Sequence, residues 1–160
     1  MRTAFCFIVS IVIFVILFIK CISFNINCGD YLKRAAKSNT VELAIDNLNI
    51  ALKYIEDNNI TSGNTGVIYK SPSNDIGFWY NNIKSSYNEL KSINPDASIL
   101  EKSNALMKLR ESIIENSEHG DELICPHNIS LFPDNLMWLI FIWVACILHL
   151  IGWINIISIL

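Results

Sequence analysis

The chain has 160 residues, of which 52% are hydrophobic and 17% are charged, and its formal net charge is −3. Lysine and glutamate are mixed along the sequence without a basic stripe, which argues against a nucleic-acid-binding protein. The sequence also contains no Gly-rich phosphate loop, no His-Glu-x-x-His, no nucleophile elbow and no paired CxxC. We therefore expect no enzyme, no cofactor, no metal site and no small-molecule substrate.

An apolar segment lies near the start of the chain, at residues 4–19. Its length of about 16 residues is just under that of a usual membrane span and just over that of a signal-peptide core. Cys21 and Ser23 are small residues at the spacing of a cleavage site before Phe24, but Lys20 is unusual in that place. We predict a retained transmembrane anchor over residues 1–23, with a cleaved signal peptide as the alternative.

A second apolar segment, residues 136–160, contains no Asp, Glu, Lys or Arg. Because about 20 apolar residues in a helix cross the hydrocarbon core, residues 132–160 are predicted to hold a spanning helix. Trp138 and Trp153 are aromatics of the kind that favour the two headgroup regions. The chain is thus expected in the lipid bilayer of a cell (inner) membrane, as a multi-pass protein, or as a single-pass protein if the first segment is cleaved.

The side of the membrane that carries the middle, residues 24–131, is indicated by two opposing signals. Basic residues follow the first segment and favour a cytoplasmic middle, namely Lys20, Lys33, Arg34 and Lys37. That charge rule weakens for long connecting regions, and Cys28 and Cys125 stand at the two membrane ends, where a disulfide would close the base of the domain. We predict a periplasmic middle with this disulfide. The alternative is a pair of free thiols in a reducing cytosol.

The middle is predicted to be an all-α, small antiparallel bundle of helices. The first helix is expected from Asp30 to about Asn59, with a kink or a second N-terminus at Thr40. Its apolar stripe recurs at helical spacing and comprises Val41, Ala44, Leu48, Leu52 and Ile55.

A loop, ITSGNTGVIYKSPSN, follows, because its glycines and Pro72 are poorly tolerated inside helices; residues 67–69 are expected to be strand-like. A second helix is predicted from a cap at Asn74 or Asp75 to the break at Asn94 and Pro95. Its apolar face is expected to comprise Ile76, Tyr80, Ile83, Tyr87 and Leu90.

The third helix is predicted over ASILEKSNALMKLRESIIEN, with Asp96 at its head. Its stripe is expected to comprise Ile99, Leu100, Leu106, Leu109 and Ile113. A core of this size contributes only a few kcal/mol net, so self-association is a further hypothesis.

Phe78, Trp79 and Tyr80 are consecutive aromatics at the start of the second helix. Three successive positions span roughly 200 degrees of helix surface, so they do not all face one core. One interpretation packs Tyr80 inside while the other two cover the loop. The other makes the three an interaction patch for a partner or a lipid surface.

His149 lies inside the second apolar segment, where an ionisable side chain is costly and suggests a function. We expect a packing or helix-pairing role, with a proton or substrate relay as the alternative. The stretch ENSEHGDELICPH contains enough ligand side chains for a metal ion, but its spacing matches no zinc signature.

Three runs resemble a group of uncharacterised bacterial membrane-anchored proteins with an apolar end, a helical middle and an apolar end. They are YLKRAAKSNTVELA, DIGFWYNNIKSS and LEKSNALMKLRE. The resemblance covers most of the chain and implies this topology and a bacterial envelope setting, without an activity. The chain departs in NTGVIYKSPSN, where the family has a more acidic turn before the aromatic triplet, so a role of that loop does not follow from the resemblance.

Two classes of function are compatible with these features. The favoured one is a structural or adaptor protein whose periplasmic helical domain binds a protein partner, or itself, through a helix face and the aromatic corner. The alternative is a small membrane subunit of a transport or signalling assembly, in which His149 and the spanning helices carry the function.

Overall fold

A computed structural model describes residues 2–117 and 120–157, and in these residues the chain is predominantly α-helical. This confirms the predicted all-α class, with apolar helices at the two ends and one small hairpin added. The elements in chain order are α1 (Arg2–Phe24), α2 (Asp30–Ala36), α3 (Val41–Asp57), α4 (Ile76–Ser92), α5 (Ile99–Ile113), β1 (Ile114–Ser117), β2 (Gly120–Leu123) and α6 (Asn135–Ile157).

The N-terminal helix does not stop at the edge of its apolar segment. A π-helical turn, Asn25–Gly29, joins α1 to α2, so that the backbone stays helical from Arg2 to Ala36. α2 thus begins at Asp30 as predicted, but it continues α1 through the π-helical turn and is not a separate helix. Gly29 has helical backbone angles, φ −57° and ψ −44°, and thus does not break the helix. The consequence is an unbroken connection between the apolar segment and the helical domain.

The predicted second N-terminus at Thr40 is confirmed, and the single helix expected through to Asn59 is wrong. The chain turns after Ala36, and the Thr40 hydroxyl accepts a hydrogen bond from the Leu43 amide at 3.3 Å, which caps α3. The turn folds α3 back onto α2. The predicted apolar stripe is buried in full and comprises Val41, Ala44, Leu48, Leu52 and Ile55.

The predicted loop separates α3 from α4. Residues 67–69 form bends there and not the expected strand, while Asn64 and Asp75 make an isolated antiparallel bridge. Gly63 has φ 115°, and a Cβ at this position would lie 2.9 Å from the Phe132 ring. Only glycine fits this backbone without strain, so the loop is held against the segment that precedes α6.

α4 begins after the predicted cap Asp75, whose carboxylate accepts a hydrogen bond from the Phe78 amide at 3.0 Å. Its buried face is rotated from the predicted one. The buried residues of α4 are Ile76, Trp79, Ile83 and Leu90, while Tyr80 and Tyr87 are half-buried against the same core.

The third predicted helix is shorter than expected at both ends. Ser98, and not Asp96, caps α5 by accepting from the Glu101 amide at 3.2 Å. After Ile113 the chain leaves the helix, and β1 pairs antiparallel with β2 in the register Ile114 to Leu123. Gly120, with φ 112°, stands at the start of β2.

Within the part of the chain that the structure describes, two helices are long and apolar enough to cross a membrane, Ala4–Ala36 and Asn135–Asn155. α1 packs along α6, so the apolar ends form an antiparallel pair, and the helical domain lies between them in sequence. The Lys20 ammonium lies 5.5 Å from the centre of the Trp138 ring, where the pair meets the domain. Lysine and tryptophan are both residue types that favour the headgroup region.

Candidate functional site

The two cysteines predicted to pair lie at the base of the helical domain. Cys28 is fully buried on the π-helical turn, Cys125 is half-buried against the same core, and both are free thiols. Burial, and secondarily the nearby Cys125, raises the pKa of Cys28 to about 12. Burial also raises the pKa of Cys125, partly offset by Lys33. The disulfide itself stays a prediction.

The hairpin carries Cys125 to the π-helical turn. A Cβ at Gly29 would lie 3.6 Å from a Leu123 methyl group, and the Ile124 amide donates to the Ile113 carbonyl at 2.8 Å. These contacts place the segment after β2 beside the residue that follows Cys28. Burial thus disfavours the thiolate, the reactive form of cysteine, at both positions.

The aromatic triplet is divided among three environments. Phe78 is exposed, Trp79 is buried, and Tyr80 is half-buried. The interpretation that Trp79 only covers the loop is therefore wrong, while Tyr80 is partly buried against the core. The Trp79 indole donates to the Ile124 carbonyl at 2.9 Å, which ties α4 to the segment after the hairpin. Of the predicted interaction patch, Phe78 offers the exposed surface.

Tyr80 takes part in a small polar cluster on the surface. Its hydroxyl donates to a Glu56 carboxylate oxygen at 2.8 Å, and Lys84 donates to the same oxygen at 2.6 Å. These hydrogen bonds lower the pKa of Glu56, with Lys84 as the larger cause. They also raise the pKa of Tyr80 and of Lys84. The cluster joins α3 to α4 and has the character of a solvated ion pair.

His149 packs against the first apolar helix. Its ring meets the edge of Phe7 with the ring centres 4.9 Å apart, and its Nδ1 lies 3.5 Å from the Ser10 hydroxyl oxygen, which is buried. Ser10 also donates to the Phe7 carbonyl at 2.9 Å. A Cβ at Gly152 would lie 2.9 Å from the Phe7 ring, so glycine leaves the space that Phe7 fills. These contacts favour the helix-pairing role of His149.

The sequence analysis did not predict that His149 packs against Ser10 and Phe7, although the residue types involved give an indication of such a contact. Small and weakly polar residues inside apolar helices are enriched where two such helices meet. Ser10 and Gly152 are residues of this kind. Their pairing requires knowledge of which faces meet, which the sequence alone does not specify.

One carboxylate of the acidic stretch considered for metal binding, that of Asp121, takes part in ion pairs. Asp121 accepts from Lys37 at 3.2 Å and from Arg110 at 3.3 Å, which joins the hairpin to α2 and α5. Glu118 and His119 lie outside the described residues. Within residues 2–117 and 120–157, no group of three or more His, Cys, Asp or Glu side chains is placed to hold a metal ion.

A groove lies between the α2–α3 turn and one face of α5. It has a volume of about 590 Å³ and is lined on one side by residues 36–42. On the other side Ile99 and Met107 are 89% and 58% exposed, although the sequence placed Ile99 in the core stripe. The prediction that Ile99 and Leu100 face the core is wrong, because α5 contributes buried residues from its C-terminal half only. The groove is thus an apolar surface that the fold leaves open.

Comparison with protein-family models, with curated proteins and with solved structures found no match to this chain. The resemblance to bacterial membrane-anchored proteins therefore stays a prediction.

Proposed function

We propose that this protein is a membrane-anchored adaptor whose helical domain binds a protein partner in the groove beside α5. The observation that carries the proposal is the exposure of Ile99 and Met107 across the groove from the α2–α3 turn. Apolar side chains exposed in a concave surface are typical of a protein interface.

The charges around the groove indicate the chemistry of the partner. Lys37, Lys102 and Arg110 line it, against Glu42 as the acidic side chain in the lining. Lys37 and Arg110 share Asp121, so the rim retains a positive excess. An amphipathic helix with apolar residues at helical spacing and acidic residues on its flanks complements both properties.

The connection to the membrane supports an adaptor. Because the backbone is helical from Arg2 to Ala36, the α2–α3 turn that borders the groove directly follows the helix that carries the apolar segment. A retained anchor is favoured for the same reason, since cleavage before Phe24 would cut within this helix, directly beside Phe24, which is a buried core residue. The groove would then be held at a defined distance from the bilayer.

Site-specific photocrosslinking in intact cells tests the adaptor proposal. A photoreactive amino acid placed at Ile99 or at Met107 of the full chain is expected to give a discrete protein adduct. The same group at Lys53, which is exposed on α3 outside the groove, serves as the matched control and is expected to give none.

The adduct is also expected to depend on the apolar lining. With the crosslinker at Ile99, the substitution Met107→Glu should remove the adduct, while the thermal midpoint changes little because Met107 is exposed. An adduct of twice the mass of the chain would identify a second copy as the occupant. Equal adducts from Ile99 and Lys53, or an adduct that Met107→Glu leaves unchanged, would overturn the proposal.

We further propose that the helical domain is periplasmic and that Cys28 and Cys125 form a disulfide there. The position of both cysteines at the same core, with Gly29 beside Leu123, supports this. A chain with Cys6, Cys21 and Cys146 replaced by Ala leaves only this pair. Cells are quenched with acid, the protein is denatured, and thiols are counted from the gel shift of a bulky maleimide.

The expected result is label on both cysteines only after reduction. The additional substitution Cys125→Ala is the control, since the remaining Cys28 should then be labelled without reductant. Labelling of both thiols without reductant would contradict the disulfide and favour a cytosolic middle, in agreement with the positive residues that follow the first segment.

A further inference from the structure

Three buried polar side-chain atoms without a hydrogen-bond partner belong to residues that line the same cavity. They are Thr65 Oγ1, Asn74 Oδ1 and Asn135 Oδ1, and no described residue bonds to any of them. Thr65 and Asn135 are 4% and 8% exposed. Buried polar atoms in folded proteins are nearly always bonded, so three in one place indicate a ligand.

The orientation of these groups is set by their neighbours. The Asn135 amide donates to the Asn128 carbonyl at 3.0 Å, which leaves its Oδ1 as an acceptor. The Thr65 amide donates to the Asn74 carbonyl at 3.0 Å. This hydrogen bond holds the two ends of the loop together, so that the side chains of Thr65 and Asn74 line the same cavity.

The cavity lies where α6 leaves the membrane. Asn135 is the first residue of the apolar span, and Leu139 and Ile142, in its first turns, form the membrane-side wall. The opposite wall is the loop, where Ile68 is 87% exposed and Tyr69 is also exposed. An exposed apolar loop beside the start of a spanning helix is suited to the headgroup region, so the cavity faces lipid heads.

The three unpartnered oxygen atoms can each accept a hydrogen bond. The described lining contains no Lys, Arg, Asp or Glu, and its titratable side chains are His127 and Tyr69. Two amide oxygens and a hydroxyl oxygen offer three acceptors, which matches the three N–H donors of a primary ammonium group. A fully ionised phosphate has no N–H or O–H to donate to the two amide oxygens. A volume of about 260 Å³ is well above that of a single water molecule and admits an aminoethyl group.

We propose that this cavity binds the primary-ammonium headgroup of a membrane lipid, with its acyl chains beside Leu139 and Ile142. The proposal requires the membrane location and does not depend on the adaptor function. Phosphatidylethanolamine has the required headgroup. Phosphatidylcholine carries the same charge without N–H donors and is the matched lipid control.

Native mass spectrometry of the detergent-solubilised full chain tests the proposal, with equimolar phosphatidylethanolamine and phosphatidylcholine added. The expected result is preferential retention of one phosphatidylethanolamine. Thr65→Val removes one acceptor while keeping the shape of the side chain, and should lower that preference about tenfold, since the lost bond is to a charged group. Thr61→Val is the same substitution in the same loop outside the cavity lining and should leave the preference unchanged.

Thermal unfolding in lipid nanodiscs separates binding from folding. Thr65→Val should unfold at the wild-type temperature or higher in phosphatidylcholine alone, because an unbonded buried hydroxyl has been removed. Addition of phosphatidylethanolamine should raise the midpoint of the wild type more than that of the variant.

Equal retention of the two lipids by the wild type would mean that the cavity takes only water, and would overturn the proposal without any variant. An unchanged preference in Thr65→Val would also overturn it. Stabilisation by free ethanolamine equal to that by the lipid, in phosphatidylcholine nanodiscs, would assign the cavity to a soluble amine and overturn the lipid assignment.

Discussion

α3 and α5 have similar apolar periodicity and different environments. On α3 every residue of the predicted stripe is buried, and Leu48 is fully buried. On α5 only Leu109 and Ile113 are buried, while Leu100 near its start is 70% exposed. Each helix is capped by a side-chain hydroxyl, so the local signals are alike.

The difference lies in what surrounds the two helices. α3 packs against α2, the π-helical turn and α4, which cover its apolar face along its length. α5 contacts α2 and α4 and then passes into β1, so its first turns project beyond the core. An apolar stripe on one helix therefore indicates a core only where a neighbour lies against it, and otherwise leaves a surface for a partner.

The adjacent aromatics Trp79 and Phe78 on α4 also contrast a buried with an exposed side chain, and we expect the largest change in the free energy of unfolding here. Trp79→Ala removes a buried indole and leaves the Ile124 carbonyl without its donor, so we expect a loss of about 3–5 kcal/mol in the free energy of unfolding. Phe78→Ala should change it by less than about 0.5 kcal/mol, because Phe78 is exposed. Chemical unfolding of the full chain in detergent, followed by circular dichroism, measures both. Similar losses in the two variants would contradict the assigned burial.

The same substitution on α3 and α5 tests the comparison directly. Leu48→Ala should destabilise the domain by about 3 kcal/mol through the cavity that it leaves. Leu100→Ala should cost less than about 0.5 kcal/mol. The two variants are compared by the denaturant midpoint at equal slope. A cost for Leu100→Ala near that of Leu48→Ala would show that the start of α5 is covered in solution, for example by a second copy of the chain.

Removal of the helix caps Thr40 and Ser98 is expected to have a smaller effect on the free energy of unfolding. Thr40→Ala should cost about 1 kcal/mol, because it leaves the Leu43 amide unbonded at a turn that the core holds in place. Ser98→Ala should cost about half as much, because the exposed first turn of α5 can fray without opening the core. Hydrogen exchange of the Leu43 and Glu101 amides distinguishes the two outcomes. Equal costs together with equal protection would show that both helix starts are equally fixed.

The ion pair that joins α4 to α5 should have the smallest effect. Lys108 lies 2.8 Å from Glu89, and both side chains are largely exposed. Lys108→Ala is therefore expected to change the free energy of unfolding by less than about 0.5 kcal/mol at physiological salt. Thermal unfolding at low and high salt is the measurement. A larger, salt-dependent loss would show that this contact holds α5 in place.

Local signals in the sequence were sufficient for much of the architecture. Spans follow from the length of an apolar run, and the caps at Thr40 and Asp75 follow from residue types that bond to the amides two or three positions on. The stripe on α3 follows from its period. Each of these properties depends on residues within one or two turns of each other, so a single sequence is enough to predict them.

Tertiary structure decided the features that depend on distant neighbours. The sequence did not determine that Trp79 rather than Tyr80 is buried, because both lie near the same face and the segment after β2 supplies the partner of the indole. Nor did it show that the helix continues through Gly29, or that Ile114 begins a strand, since both choices depend on packing between elements. The cavity beside Asn135 is the clearest case. Its three polar atoms come from the two ends of the loop before α4 and from the start of α6, and only the folded chain brings their residues to one cavity.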